Sequence, residues 1–315
     1  MACILAEFDC GHKGAVLDTQ LDDLCLRLAT ASSDGLVKLW KVDKPEEPTF
    51  ICDLAAHSGA VHQVSWAPAG TGAGSLLVSV GADGRVFLWG PCHDMQRWQV
   101  VHEEDLSRHG EVTAVSWAPP TMGTAAYACA LSDGTISVTI HQGTLRSGDT
   151  GVEHRWQSEN FAVHKGKANA VSWSSAVDPH KKGEVVGACL ATAGEDGVRV
   201  WHILEVHGRF REEELPRPGP EEPIRDVAWK PWDGLGDVLA FAQGKQVGFL
   251  RRESDGPGWS LDSPVKLDED VWKLEWQPMG SQLVVTCGEK EYRSLLLKQQ
   301  LCGKWDVIDV SGTTA

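Results

Sequence analysis

One short phrase recurs along this chain and constrains its fold more than any other feature. It reads VHQVSWAP at Val61–Pro68, VTAVSWAP at Val112–Pro119 and ANAVSWS at Ala168–Ser174. Weaker copies are IRDVAWKP at Ile224–Pro231 and VWKLEWQP at Val271–Pro278. The tryptophans of these copies, Trp66, Trp117, Trp173, Trp229 and Trp276, stand 51, 56, 56 and 47 residues apart. A degenerate copy, AVLDTQL at Ala15–Leu21, precedes them by about one period. Fixed periods of this length mark repeat architectures.

A second phrase follows each first one. It reads RLATASSDGLVKLW at Arg27–Trp40, LLVSVGADGRVFLW at Leu76–Trp89, YACALSDGTISVTI at Tyr127–Ile140 and CLATAGEDGVRVW at Cys189–Trp201. Worn copies occupy Val238–Leu250 and Leu283–Leu297. Each is a short apolar run, a Gly- or Asp-rich turn and a second run, which predicts two strands joined by a tight hairpin. Outer strands are expected at Thr49–Leu54, Trp98–His102, Glu153–Ser158, Trp259–Leu267 and Lys304–Val310. No segment holds a 3.6-residue apolar period for three turns, so helical solenoids are excluded. Four-stranded units at this period predict an all-β propeller of six blades within a single domain, residues 1–315.

Within the repeats four polar residues recur at matching places. They are His12, Thr30, Asp34 and Trp40 in blade one, and His57, Ser79, Asp83 and Trp89 in blade two. Blade four has His164, Thr192, Asp196 and Trp201; blade three keeps His109 and Asp133 beside Cys129 and Thr139. A buried indole N–H needs an acceptor, and a carboxylate can tie a histidine to a hairpin. These sets resemble the hydrogen-bonded tetrad of WD-repeat proteins. Blades five and six lack them and must rely on apolar packing.

The tetrads leave the functional class open. The first repeat Leu17–Trp40, the SW-AP phrases, the long loop after Trp173 and the six-repeat length narrow it. Together they resemble the small WD-repeat subunit of the coat protein complex II outer cage, which is shared with the Y-shaped scaffold complex of the nuclear pore. The resemblance runs from about Ile4 to Val310. It implies a structural subunit at the cytoplasmic face of the endoplasmic reticulum, on coated vesicles and at the nuclear envelope. It also implies membership of a membrane-associated complex upstream of the TOR kinase. The alternative is an adaptor that presents peptides, as in a ubiquitin ligase or in a TOR-regulating complex only.

The strand count adds an expectation. Blade six finds four strands of its own, yet Ala2–Phe8 also reads as a strand, with Ile4, Ala6 and Phe8 on one side. That strand within residues 1–10 then belongs to a seventh, incomplete blade in an open ring. The resemblance implies that a large coat scaffold protein, or a nuclear pore scaffold protein, inserts the missing blade. Such a partner is expected to meet Ile4, Ala6 and Phe8, Val16 and Leu17 of blade one, and Trp272 and Leu274 of blade six. An insertion of this kind should bury more than about 2,000 Å².

Composition excludes other roles. Lys plus Arg is 29 against 44 for Asp plus Glu, a net charge of −15. A nucleic-acid surface or a polybasic membrane contact would need the opposite balance. The nine cysteines include no C-x-x-C pair and read as free thiols of a reducing compartment. The first residues carry no basic segment of a signal peptide and no apolar run is long enough to span a bilayer, so a cytosolic or nuclear setting is expected. His202 and His207 have no cysteine or carboxylate at a metal-ligand spacing, so neither a metal nor another cofactor is expected. Glu212–Glu214 with Glu221 and Glu222 reads as a solvated loop. No nucleophile elbow, Walker loop or dinucleotide fingerprint appears, so no catalytic residue is assigned and no enzyme is expected.

Overall fold

The structure is a computed structural model. It describes residues 8–44, 47–69, 76–92, 97–142, 155–174, 188–205, 209–216, 222–233, 236–253, 258–289, 292–300 and 304–309. The described residues form six antiparallel sheets, each following the chain from inner to outer strand. Blade one comprises β1 (Val16–Leu21), β2 (Arg27–Ser32), β3 (Val37–Lys41) and β4 (Thr49–Leu54). Blade two comprises β5 (Val61–Trp66), β6 (Leu77–Gly81), β7 (Arg85–Pro91) and β8 (Trp98–Asp105). Blade three comprises β9 (Val112–Trp117), β10 (Ala126–Leu131), β11 (Thr135–Gln142) and β12 (Arg155–Ala162).

Blade four comprises β13 (Ala168–Trp173), β14 (Cys189–Gly194), β15 (Gly197–Glu205) and β16 (Arg209–Glu212). Blade five comprises β17 (Ile224–Trp229), β18 (Gly236–Gln243), β19 (Gln246–Glu253), β20 (Ser260–Leu261) and β21 (Val265–Lys266). Blade six comprises β22 (Val271–Trp276), β23 (Gln282–Cys287), β24 (Arg293–Gln299) and β25 (Trp305–Asp309). These are the blades of a six-bladed β-propeller. Among the described residues no helix is long and apolar enough to cross a membrane.

Blades one to three lie in one compact unit, Leu5–Val163, and blades four to six in another, His164–Ala315. Within each unit the core is a series of layers between neighbouring blades. In the first, Leu77, Phe87 and Trp89 of blade two pack on Ala29, Leu39 and Leu54 of blade one. The opposite face of blade two, with Val78, Val86 and Leu88, packs on Val115, Trp117 and Tyr127 of blade three. A sheet buried on both faces explains why these strands read as continuous apolar runs rather than alternating ones. In the second unit, Trp229 and Phe241 of blade five pack against Ala191 and Val200 of blade four. On its other side Phe249 stacks on Trp305 of blade six, with ring centroids 4.3 Å apart.

Some boundaries differ from the sequence expectation. The outer strand expected at Glu153–Ser158 is Arg155–Ala162, because it pairs along β11 from Gln142 back to Thr135. The strand expected at Trp259–Leu267 is broken into β20 and β21, both paired to β19. Pro264 lies between them and has no N–H for the ladder. Blade four's outer strand, β16, carries no sequence signal and was not expected. The strand expected at Ala2–Phe8 lies outside the described residues except for Phe8, which is not in a strand.

The hairpins need glycine where the chain turns back. Gly84 has φ +71, and a Cβ there would stand 2.5 Å from both the Gly110 carbonyl oxygen and Ser107 Cα. Only a residue without a side chain lets blade two's hairpin approach the next blade this closely. A β-bulge falls at the second residue of the inner strand in all six blades. It re-aims the side chains beyond it and sharpens the local twist.

Candidate functional site

The tetrad of blade two is complete. His57 Nδ1 lies 3.0 Å from Asp83 Oδ1, and His57 Nε2 lies 2.9 Å from Ser79 Oγ. The Trp89 indole N–H donates to the same Ser79 oxygen at 2.9 Å. Burial pushes the His57 pKa below its ordinary value, against the pull of Asp83, so the ring is neutral at pH 7. The proton then sits on Nδ1, donated to Asp83, and the row runs in one sense: Trp89 N–H to Ser79, Ser79 O–H to His57, His57 N–H to Asp83. Blade four repeats it. His164 contacts Asp196 and Thr192, and the Trp201 indole donates to Thr192 Oγ1 at 3.3 Å.

Blade one completes only three members. His12 Nδ1 is 3.0 Å from Asp34 Oδ2 and His12 Nε2 is 2.9 Å from Thr30 Oγ1. The Trp40 indole N–H is buried and meets no acceptor among the described residues, contrary to the tetrad expectation. Its ring is instead edge-on between Phe8 at 5.1 Å and Phe50 at 5.3 Å. In blade three His109 pairs with Asp133 at 2.7 Å. Thr139 turns to Glu104 of blade two, donating to Oε2 at 2.9 Å, and Tyr127 donates to the same oxygen at 3.3 Å. Burial drives the Cys129 thiol well above its ordinary pKa. At the tetrad places of blades five and six, Leu250 and Leu297 are fully buried and apolar.

The carboxylates of the tetrads predict acid sensitivity. Burial pushes Asp34 up, but the N–H groups of Lys13 and Leu36 and the His12 ring outweigh it and hold the group at about 2, against an ordinary 3.8. In Asp196 burial is likewise outweighed, by His164 and Arg199, and the group also falls to about 2. A carboxyl with a depressed folded pKa stabilises the fold above 3.8 and loses that contribution as pH falls through about 2. His57 and His164, held neutral by burial, add a loss beginning below their ordinary 6.5, where the unfolded chain binds protons first. Urea unfolding should therefore show stability falling steadily below pH 6.5, with a further fall between pH 4 and 2 that the double variant Asp34→Asn, Asp196→Asn makes shallower. An unchanged slope in that variant would remove these carboxylates from the account.

A second network, invisible to the tetrad pattern, couples neighbouring inner strands. The Trp66 indole donates to the Gln20 carbonyl at 3.0 Å, Trp117 to Ser65 at 2.9 Å and Trp276 to Ala228 at 3.1 Å. In these three blades the repeated tryptophan is thus a rivet to the preceding blade, whereas the buried Trp229 N–H meets no acceptor among the described residues. Three backbone N–H groups are met in the same sense: Val64 by Asp18 at 3.0 Å, Val115 by Gln63 at 2.8 Å and Leu274 by Asp226 at 2.7 Å. The polar residue at the third place of the phrase was a readable signal for these acceptors.

This riveting makes blade one the exception. Val16 is 41 % exposed, whereas its counterparts Val61, Val112, Ala168, Ile224 and Val271 are 0 % exposed. Leu21 is 47 % exposed in the slot where the five tryptophans range from 5 % to 8 %. Thr19 is exposed where Val64, Val115, Val171, Val227 and Leu274 are buried. Three places that are buried in the other blades are exposed in β1. Leu17 is exposed beside them.

The other expected contact residues are placed differently. Leu274 is buried in the layer with Val247 and Phe249 of blade five, so it offers nothing to a partner. It occupies the place that turns toward the preceding blade. Trp272 is 42 % exposed, but it leans toward blade five: Arg225 stands 4.0 Å over its ring and its N–H donates to the Gly288 carbonyl at 2.6 Å. Ile4 and Ala6 lie outside the described residues. The expected solvated loop is corrected at Glu213, which is drawn into a network with His202, Arg252 and Trp259. Among the described residues no three His, Cys, Asp or Glu side chains are placed to hold a metal ion.

Blades with a His–Ser/Thr–Trp row and a hairpin aspartate define a WD-repeat propeller. The family model described as WD domain, G-beta repeat matches residues 4–41 and 48–90. A crystal structure of Saccharomyces cerevisiae Sqt1 superimposes with a TM-score of 0.68, covering 99 % of this chain and 79 % of that one at 16 % identity, which shows the fold alone. Protein transport protein SEC13 of Cryptococcus neoformans var. neoformans serotype D is 34 % identical, covering 88 % of this chain and 89 % of the relative. The SEC13 homolog of Drosophila melanogaster is 30 % identical over 100 % of this chain and 86 % of its own length. The chain belongs to the SEC13 family of WD-repeat proteins.

Proposed function

We propose that this protein is a scaffold subunit in protein transport, which a larger scaffold protein engages by packing an inserted blade on the uncovered face of β1. The observation that carries the reading is the exposure of Val16 and Leu21 at places buried in every other blade. Exposed apolar surface beside an inner strand is an aggregation hazard unless a partner covers it. The names of the relatives, protein transport proteins, supply the process. The setting proposed is the coat of vesicles moving from the endoplasmic reticulum to the Golgi, at the cytoplasmic face, with a second role in the nuclear pore scaffold. The mechanism is mechanical: a rigid stack of riveted blades becomes continuous with its partner.

The test is capture of the large coat scaffold protein by the purified chain. The double variant Val16→Asp, Leu21→Asp should weaken capture at least tenfold, because each charge would be buried unpaired in the joint. Its melting should stay close to that of the parent, since both side chains already face solvent. A variant that captures the scaffold as well as the parent would remove this face from the joint.

A further inference from the structure

Blade four carries a row of reactive side chains that the tetrads do not use. Cys189 opens β14, His202 faces it across the β14–β15 ladder, and Glu213 follows β16. Cys189 Sγ lies 3.3 Å from His202 Nδ1. His202 Nε2 lies 2.6 Å from Glu213 Oε1. Glu213 is fixed from blade five, by Arg252 Nη1 at 2.6 Å and by the Trp259 indole N–H at 2.6 Å. Cys189 is 4 % exposed and His202 7 %. The arrangement is a nucleophile, a base bonded to it and a carboxylate beside the base, the residue types that activate catalytic thiols.

The charged groups facing His202 are Glu213 and, through it, Arg252, which Asp237 of β18 backs in turn. The hydrogen bond to Cys189, and then the Glu213 carboxylate against Nε2, raise the His202 pKa to about 9, against the effect of burial. At pH 7 the imidazole is therefore protonated and donates to sulfur. Cys129 supplies the contrast: it is fully buried, has no such partner among the described residues, and burial with the Glu104 charge pushes its thiol well above its ordinary pKa.

We propose that Cys189 is a modification site for small peroxides, activated by His202 and Glu213. The thiolate sulfur attacks one oxygen of hydrogen peroxide. The O–O bond breaks as the S–O bond forms, and the departing hydroxide takes the proton from His202 Nδ1 and leaves as water. Sulfur is oxidised by two electrons to the sulfenic acid and peroxide is reduced. Burial selects an oxidant of two heavy atoms over bulky thiol reagents.

The experiment exposes the folded chain to hydrogen peroxide, then denatures it in a sulfenic-acid trap. Peptide mass spectrometry reads sulfenic plus sulfinic product at each cysteine. Cys189 should oxidise at least about tenfold faster than Cys129, and its rate should fall less than about threefold from pH 8 to pH 6, where an ordinary thiol loses about tenfold per pH unit. Glu213→Gln should lower the Cys189 rate about tenfold and steepen its pH profile. Equal rates at Cys189 and Cys129, or an ordinary thiol's pH profile at Cys189, would overturn the proposal. An unchanged rate in Glu213→Gln would do the same. Should that variant unfold, which a rise at Cys129 would reveal, the pH profile of the parent chain decides alone.

Discussion

Trp117→Ala is expected to lower the unfolding free energy by about 3–5 kcal/mol, the range for removing a buried aromatic. Trp117 is 5 % exposed. It fills the layer between blades two and three, packs edge-on to Tyr127 at 5.6 Å, and donates its indole N–H to the Ser65 carbonyl at 2.9 Å. The first two contacts are apolar and the third is polar, so two variants separate them. Trp117→Phe keeps most of the apolar contact and loses the indole's hydrogen bond to the Ser65 carbonyl, at about 0.5–1.5 kcal/mol. Leu21→Ala occupies the equivalent slot of blade one, and because that slot faces solvent it should cost no more than about 0.5 kcal/mol in the isolated chain. Urea unfolding of the three variants measures the series. If Leu21→Ala cost as much as Trp117→Ala, β1 would be covered in solution and the docking face proposed for it would not exist.

The same slot shows how far the sequence could be read. The recurring tryptophan placed five inner strands to the residue, because a large side chain that must be buried at one point of every blade leaves a period no loop insertion can hide. The Asp-Gly hairpins and the histidines before the inner strands were legible for a similar reason: each tetrad ties positions that the repeat brings round again. What the period cannot carry is the direction of a side chain at one particular blade. Trp40 stands where Trp89 and Trp201 stand, yet Phe8 and Phe50 hold its ring and its N–H misses Thr30. Leu274 looked available because the pleat phase was unknown; the bulge at Trp272 turns it onto blade five. The Cys189–His202–Glu213 row was hidden because strand register, not sequence spacing, assembles it. β16, four residues long, is too short to announce itself.

Ser79→Ala in blade two should be more damaging than its single lost oxygen suggests. Ser79 is fully buried, and its hydroxyl both accepts from Trp89 and donates to His57, at 2.9 Å each. Its removal leaves an indole N–H and an imidazole nitrogen without partners inside a layer that water does not reach. An unmet buried group costs about 1–3 kcal/mol, so the pair should cost about 2–5 kcal/mol. Ser79→Thr keeps the oxygen, and Thr30 and Thr192 hold the same place in blades one and four, so it should stay within about 1 kcal/mol of the parent. Trp40→Phe in blade one removes an N–H that has no acceptor and keeps an aromatic ring between Phe8 and Phe50, so it too should cost less than about 1 kcal/mol. The order of the three in urea unfolding tests whether the hydroxyl, rather than the tryptophan, is the hub of the network. Were Ser79→Ala no more costly than Trp40→Phe, the row from Trp89 to Asp83 would be a geometric coincidence of the fold and not a source of its stability.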